Sequence, residues 1–196
     1  MKVLTVNNIE VPDFCKKEIF RYAKVQKADI QTERLLDECL NECGKAVTYN
    51  LCYCEIKVSV KDGVCDFGYF KVGSKDLANN LKGCEKTLLI AATLGVGIDR
   101  LIAKYSRISP SKALILQAIG TERIEALCNS FCSNYETENS VSLRTRFSPG
   151  YGDLPLETQR DIFRFLDCAN KINLTLNDSL LMSPTKSVTA FMGIKN

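Results

Sequence analysis

Two spacings of apolar residues divide this chain. At Leu35, Leu36, Cys39, Leu40 and Cys43 they fall three and four apart, the period at which a helix buries one face. At Cys52, Cys54, Ile56, Val58 and Val60 they alternate with Tyr53, Glu55, Lys57, Ser59 and Lys61, as in a half-buried strand. The pattern predicts a strand over 2–6, a helix opening at Val11-Pro12-Asp13 and running to 22, and a helix over 31–43 stopped by Gly44. A strand over 48–60, a turn at Asp62-Gly63 and a partner strand over 64–70 follow. Ser74 caps a short helix to 81 that Gly83 closes, and 86–94 returns as a buried strand.

Two helices come next. The second, over 110–134, sets Ala113, Leu116, Gly120, Ile124, Leu127 and Phe131 on one face and is about 40 Å long at ~1.5 Å per residue. A strand over 141–146, a loop, a helix over 156–172, and strands near 180–182 and 187–194 complete the chain. Helices and hairpin strands without a regular β-α-β alternation predict an α+β fold with a mostly antiparallel sheet flanked by helices. No repeat or shift of composition marks a boundary, so a single domain over 1–196 is expected.

Composition narrows the chemistry. Hydrophobic residues make up 45% and charged residues 25%, the balance of a globular protein, and the net charge of +3 is scattered along the chain. Without a basic stripe, nucleic acid is not an expected partner. The longest apolar run, over 87–94, is far short of the ~20 residues of a membrane span, and the start has no signal-peptide pattern, so a cytoplasmic protein without a membrane partner is expected. Histidine is absent, which removes imidazole bases, Ser-His-Asp systems and His-ligated zinc. Ten cysteines suggest a metal or disulfide framework, yet none forms a Cys-x-x-Cys pair, and Cys39, Cys43, Cys52 and Cys54 already have places on buried faces. They are read as small core residues; the competing reading is a cysteine-ligated redox protein.

Three places carry candidate chemistry. Arg146-Phe147-Ser148-Pro149-Gly150-Tyr151-Gly152-Asp153-Leu154-Pro155 precedes a helix with Ile162, Phe163, Leu166 and Ala169 inward and Arg160, Arg164, Asp167 and Lys171 outward. A glycine-rich turn into a docked helix start offers free N–H groups to a carboxylate or phosphate, and Arg146 adds a bidentate grip. Tyr151 is suited to pack a flat ring or seal the pocket. Pro and Gly more often make a plain turn. Ala118, Thr121, Glu125, Cys128 and Cys132 form a stripe of small residues around one carboxylate on the long helix, where the bland alternative sends Glu125 to water. Gly95-Val96-Gly97 has two glycines of a dinucleotide turn, but Arg100 stands where a third is required, so it fails as that motif.

Arg146-Phe147-Ser148-Pro149-Gly150-Tyr151, Leu154-Pro155 and an amphipathic helix precede Leu174-Thr175-Leu176 and Met182-Ser183-Pro184-Thr185-Lys186-Ser187-Val188. In this order they resemble the activation domain of cobalamin-dependent methionine synthase, in its free-standing, single-domain form. Arg21-Tyr22 and Ala92-Thr93-Leu94-Gly95 extend the resemblance to the earlier parts of the chain. It implies a C-shaped α+β domain that binds S-adenosylmethionine and acts on a corrinoid. Cob(II)alamin on a partner is reduced by one electron from a flavodoxin-type donor and remethylated.

By the same resemblance, Arg146 meets the ligand's carboxylate, Glu125 offsets its positive charges, and main-chain groups of Ser148, Gly150 and Tyr151 meet the adenosyl part. The implied partner is the cobalamin-binding domain of methionine synthase or another corrinoid protein. The alternative role is a docking or assembly factor for another corrinoid methyltransferase, without turnover of S-adenosylmethionine. The fused family member continues past the Ser-Val strand to a ligand-contacting tyrosine without a counterpart before Asn196, so a weaker hold on adenosine is expected. Its acidic N-terminal contact has Asp13 and Asp29 as unmatched candidates.

Overall fold

The computed structural model describes residues 2–7 and 9–195; both ends of the expected 1–196 span, and Asn8, lie outside the described residues. The chain opens with β1 (Leu4–Val6), α1 (Lys16–Tyr22), α2 (Ile30–Ala46) and β2 (Asn50–Lys57). A small three-stranded sheet of β3 (Ser59–Lys61), β4 (Val64–Asp66) and β5 (Lys71–Gly73) leads into α3 (Lys75–Asn80). Next come β6 (Lys86–Thr93), α4 (Val96–Ile108), α5 (Pro110–Asn139) and the short β7 (Ser142–Leu143). The remainder is α6 (Thr158–Leu166), α7 (Cys168–Ile172), the two-residue strands β8 (Thr175–Leu176) and β9 (Met182–Ser183), and β10 (Ser187–Lys195).

The main sheet has five strands in the order β1-β2-β6-β10-β7, every pairing antiparallel, as the α+β reading requires. Its side chains alternate between two cores. Leu51, Leu88, Ile90, Ala92, Ala190 and Met192 face α5, whose far side packs on α1, α2 and α4. Cys52, Cys54, Leu89, Ala91 and Phe191 face the opposite layer, where α6 and α7 contribute Ile162, Leu166, Cys168 and Ile172. Both faces of β6 are therefore dry, which explains its unbroken apolar run. Buried cysteines fill gaps in both cores; Cys15 is exposed and Cys132 partly so. Among the described residues, no group of His, Cys, Asp and Glu is arranged to hold a metal, and no helix is long and apolar enough to cross a membrane.

Several expected elements differ. The helix expected to open at Val11-Pro12-Asp13 starts at Lys16, and the partner strand expected over 64–70 stops at Asp66, the chain re-entering the small sheet only at Lys71. The alternation over 48–60 is two strands: β2 ends at Lys57, the Val58 N–H turns to the Glu85 carbonyl, and β3 enters the small sheet. Side-chain alternation is continuous across such a break, so period alone does not mark it. Gly44 does not end α2, which runs to Ala46, where the start of α4 abuts it. The helix over 156–172 is two, because Asp167 adopts the left-handed conformation (φ 53°) and restarts the chain as α7. That turn points Cys168 and Ile172 inward and leaves Ala169 exposed. The strand over 141–146 is reduced to β7 and an isolated bridge between Phe147 and Phe191.

The failed dinucleotide turn has a packing role. A Cβ on Gly97 would lie 2.0 Å from the Ala46 carbonyl oxygen, so only glycine lets α4 start against the end of α2. Gly97→Ala is expected to cost about 1–3 kcal/mol through forced backbone displacement, read as a lower urea midpoint at unchanged slope.

Candidate functional site

The strand period aims Arg146 at α5. Phe147 donates its N–H to the Phe191 carbonyl and accepts from the Phe191 N–H, both at 2.9 Å, and its ring joins the core on the α6 side. The preceding residue therefore faces the other layer. There Arg146 Nη2 donates to Glu125 Oε2 at 2.6 Å and Nη1 to Asn129 Oδ1 at 2.8 Å, with Cys132 Sγ at 3.9 Å. The Arg146 side chain is 22% exposed and that of Glu125 41%, so the pair stands at a wall rather than within the core. Glu125 is only partly open to water, and the residue it meets is the arginine of the loop. These three bonds use three of the guanidinium's five N–H groups, and the remaining two can serve a further acceptor.

This pair borders a groove of about 860 Å³. One wall is α5 with Glu125, Asn129, Cys132 and Glu136; the other carries Gln159 of α6 and Met182 of β9. Ser187, Val188 and Thr189 of β10 form its floor, and Arg146, Phe147, Ser148, Pro149 and Tyr151 its rim. Of the expected site residues, Arg146, Glu125, Ser148 and Tyr151 converge here, and Gly150 does not line it. The Ser148 N–H has no protein acceptor among the described residues, whereas the Gly150 N–H donates to Leu154 O and the Tyr151 N–H to Ser148 O. Tyr151 stands at the rim, 69% exposed.

The helix start expected to offer free amides does not. The N–H groups of Thr158, Gln159 and Arg160 donate three residues back, to Pro155, Leu156 and Glu157. The glycines also serve a different neighbour. A Cβ on Gly152 would lie 2.3 Å from Asp76 Oδ2, because the loop docks on α3. Asp153 accepts there from the Ser74 hydroxyl, from the Lys75 N–H at 2.8 Å and from the Asp76 N–H at 3.2 Å, capping that helix from outside. The groove's polar groups are consequently side chains, the Ser148 N–H and the edge of β10, held by a loop tied down elsewhere.

Three contributors escape the sequence reading. Asn129 lies one turn beyond Glu125 on the same helix face, a spacing that marks it once Glu125 is chosen. Gln159 is 6% exposed, and its Oε1 has no hydrogen-bond partner, an arrangement costing about 1–3 kcal/mol in a ligand-free fold. Its signal was a polar residue at the inward spacing of Ile162 and Leu166. Thr189 gave none, because its contribution is main-chain.

Around the groove, burial controls ionisation. It pushes the Cys128 thiol up to about 12 and raises that of Cys132, against the pull of Arg146, so both stay protonated near neutrality. Burial likewise lowers the pKa of Lys186, whose stem crosses Gly120 and whose Nζ donates to Thr121 Oγ1 at 2.9 Å. The Met-Ser-Pro-Thr-Lys-Ser segment thus anchors β10, with Thr185 also bonded through N–H and hydroxyl to Asp99. Asp13 lines an adjoining cavity of about 440 Å³ that shares Glu125 and Asn129 with the groove, and Arg123 grips the carbonyls of Pro12 and Asp13 beside it. Asp29 instead accepts from the Thr32 N–H as the cap of α2.

Fold and site together define an α+β domain with a groove along the open edge of β10, lined by charged side chains of α5 on one side and by the uncharged Gln159 of α6 on the other. No protein-family model and no curated protein matches the sequence. Among solved structures, the crystal structure of the MetH reactivation domain bound to AdoHcy has the same fold, with a TM-score of 0.67 at 13% identity. The alignment covers 98% of this chain and 78% of that one.

The Asp153 clasp is testable through pH. The Ser74 hydrogen bond, followed by those from the Lys75 and Asp76 amides, holds the Asp153 pKa below its ordinary value. A depressed carboxylate stabilises the fold above its unfolded pKa and ceases to do so as pH falls through the folded one. Asp153→Asn is expected to lower the melting temperature at pH 7, and the gap to wild type to close below about pH 4. A gap independent of pH would show that the charge is not what anchors the loop.

Proposed function

We propose that this protein binds S-adenosylmethionine in the groove and supports reductive methylation of cob(II)alamin carried by a partner methionine synthase, with a flavodoxin-type protein as electron donor. The observation that carries the reading is the inward Arg146–Glu125 pair at the wall of a large groove, in a fold shared with a domain crystallised with AdoHcy. An α-amino acid presents a carboxylate and an ammonium side by side; the pair presents their complements side by side. The remaining guanidinium N–H groups suit the carboxylate, and the partly exposed Glu125 the ammonium.

The sulfonium supplies an already activated methyl group, so this chain's residues need only bind the ligand, orient it and exclude water. That division of labour suits a chain without histidine. The corrinoid and its cobalt ligands belong to the partner in this reading, and the open side of the groove beside the exposed Tyr151 ring is where it would approach.

S-adenosylmethionine at a hundred times its Kd is expected to stabilise the protein by about 2.7 kcal/mol, a rise of roughly 5–10 °C in melting temperature for a chain of this size. Arg146→Ala should abolish that rise while the variant still unfolds cooperatively. Absence of any rise at millimolar ligand, with and without a corrinoid protein, would overturn the reading. A corrinoid partner captured without ligand-induced stabilisation would favour a docking factor instead. The activity itself is read anaerobically, as return of a cob(II)alamin-loaded partner to the methylated form with S-adenosylmethionine and reductant, faster with this chain than without.

A further inference from the structure

We infer that the α6 side of the groove reads the ligand's heterocyclic base, through the Gln159 carboxamide and the free main-chain edge of Thr189. This rests on the S-adenosylmethionine reading and extends it to the half of the ligand that Arg146 and Glu125 do not touch.

The first observation is the orphaned carboxamide. Gln159 lines the groove, is 6% exposed, and has an Oε1 without any partner. Thr158, equally buried beside it, and Ile162 and Leu166 further along hold that face of α6 against the core. With no interior bond fixing its oxygen, the carboxamide can turn either its acceptor or its donor to a ligand.

The second observation is independent and comes from the parity of β10. Phe191 exchanges both main-chain hydrogen bonds with Phe147, so its N–H and C=O point away from β6. The Gly193 carbonyl, which accepts from Arg144, points the same way. Thr189 has the same parity, yet the pairing on that side consists of Leu143 and Ser142 with Ile194 and Lys195, and of the Phe147–Phe191 bridge. The Thr189 N–H and C=O therefore meet no strand, although the residue is 2% exposed and forms the groove floor. A buried donor and acceptor of the main chain call for a partner.

The two features offer donor and acceptor together, the pattern of a purine's amino and ring-nitrogen edge, which carboxamides recognise bidentately. A carboxylate would use the donors alone. The remaining lining fits a flat ring, with Pro149 and Met182 on the groove beside the polar groups. Glu125, Glu136 and Arg146 stand toward α5, while the other charged lining residue, Arg144, is tied to the Lys82 carbonyl, so an amino-acid nucleoside is placed with its amino-acid end at Arg146 and its base at Gln159.

The experiment measures binding of S-adenosylhomocysteine and of S-ribosylhomocysteine, which lacks the base, by calorimetry on wild type, Gln159→Leu and Arg146→Ala. Gln159→Leu is expected to bind S-adenosylhomocysteine on the order of tenfold more weakly, to bind S-ribosylhomocysteine as wild type does, and to melt no lower than wild type without ligand. Gln159→Met serves as a second variant should the first not fold. Equal weakening toward both ligands, or none while Arg146→Ala loses S-adenosylhomocysteine, overturns the inference and leaves the Arg146 site standing. Wild type that binds neither ligand overturns both.

Discussion

The pair of main-chain hydrogen bonds between Phe147 and Phe191 is the constraint on which the site depends. It pins the chain leaving α5 against β10 beyond the end of β7. With Phe147 committed to the core beneath α6, Arg146 has to face α5, where Glu125 and Asn129 receive it. The same bond pair sets the parity of β10, so the main chain of Thr189 faces open space where β7 has already ended. Had β7 extended further along β10, the sheet would be more complete and the groove floor would be closed.

What keeps that groove open is anchoring on either side of it. Asp153 locks the loop onto α3, and Asp99 with Lys186 locks the start of β10 onto α4 and α5. Both clasps use polar groups that a less constrained loop would turn toward the hollow. The glycines belong to this anchoring: Gly152 admits Asp76, just as Gly97 admits the end of α2. Glycine in this loop is thus explained by the protein's own close approaches, and the polar lining of the groove falls to Arg146 and to side chains on α5 and α6. A groove prepared in this way carries an unpartnered carboxamide at Gln159 that a core built for stability alone would replace with leucine.

Much of the architecture was legible because burial imposes a period on sequence. The long face of α5, the dry run of β6 and the Asp62-Gly63 hairpin follow from spacing and turn chemistry, and the structure has all three. The breaks were not legible. Nothing in the alternation over 48–60 says that β2 changes sheets after Lys57, and Asp167, placed by helical spacing on an outward face, is the left-handed residue that divides α6 from α7. Helical period persists across one irregular residue, so the pattern shows faces more reliably than ends.

The sequence by itself determined the fold class, the absence of imidazole chemistry, the core use of most cysteines, and Arg146 and Glu125 as the charged candidates, because each follows from residue type and local spacing. Only the tertiary structure decided that those two charges face one another, that Asn129 joins them, that the Gly150 amide is already used, and that Gln159 and Thr189 lie across the groove. The physical reason is that pairing between a loop and a helix, and parity at the open edge of a strand, are set by which segments dock together. Side-chain chemistry is written residue by residue, whereas the free main-chain group of a strand exists only where a neighbouring strand stops short.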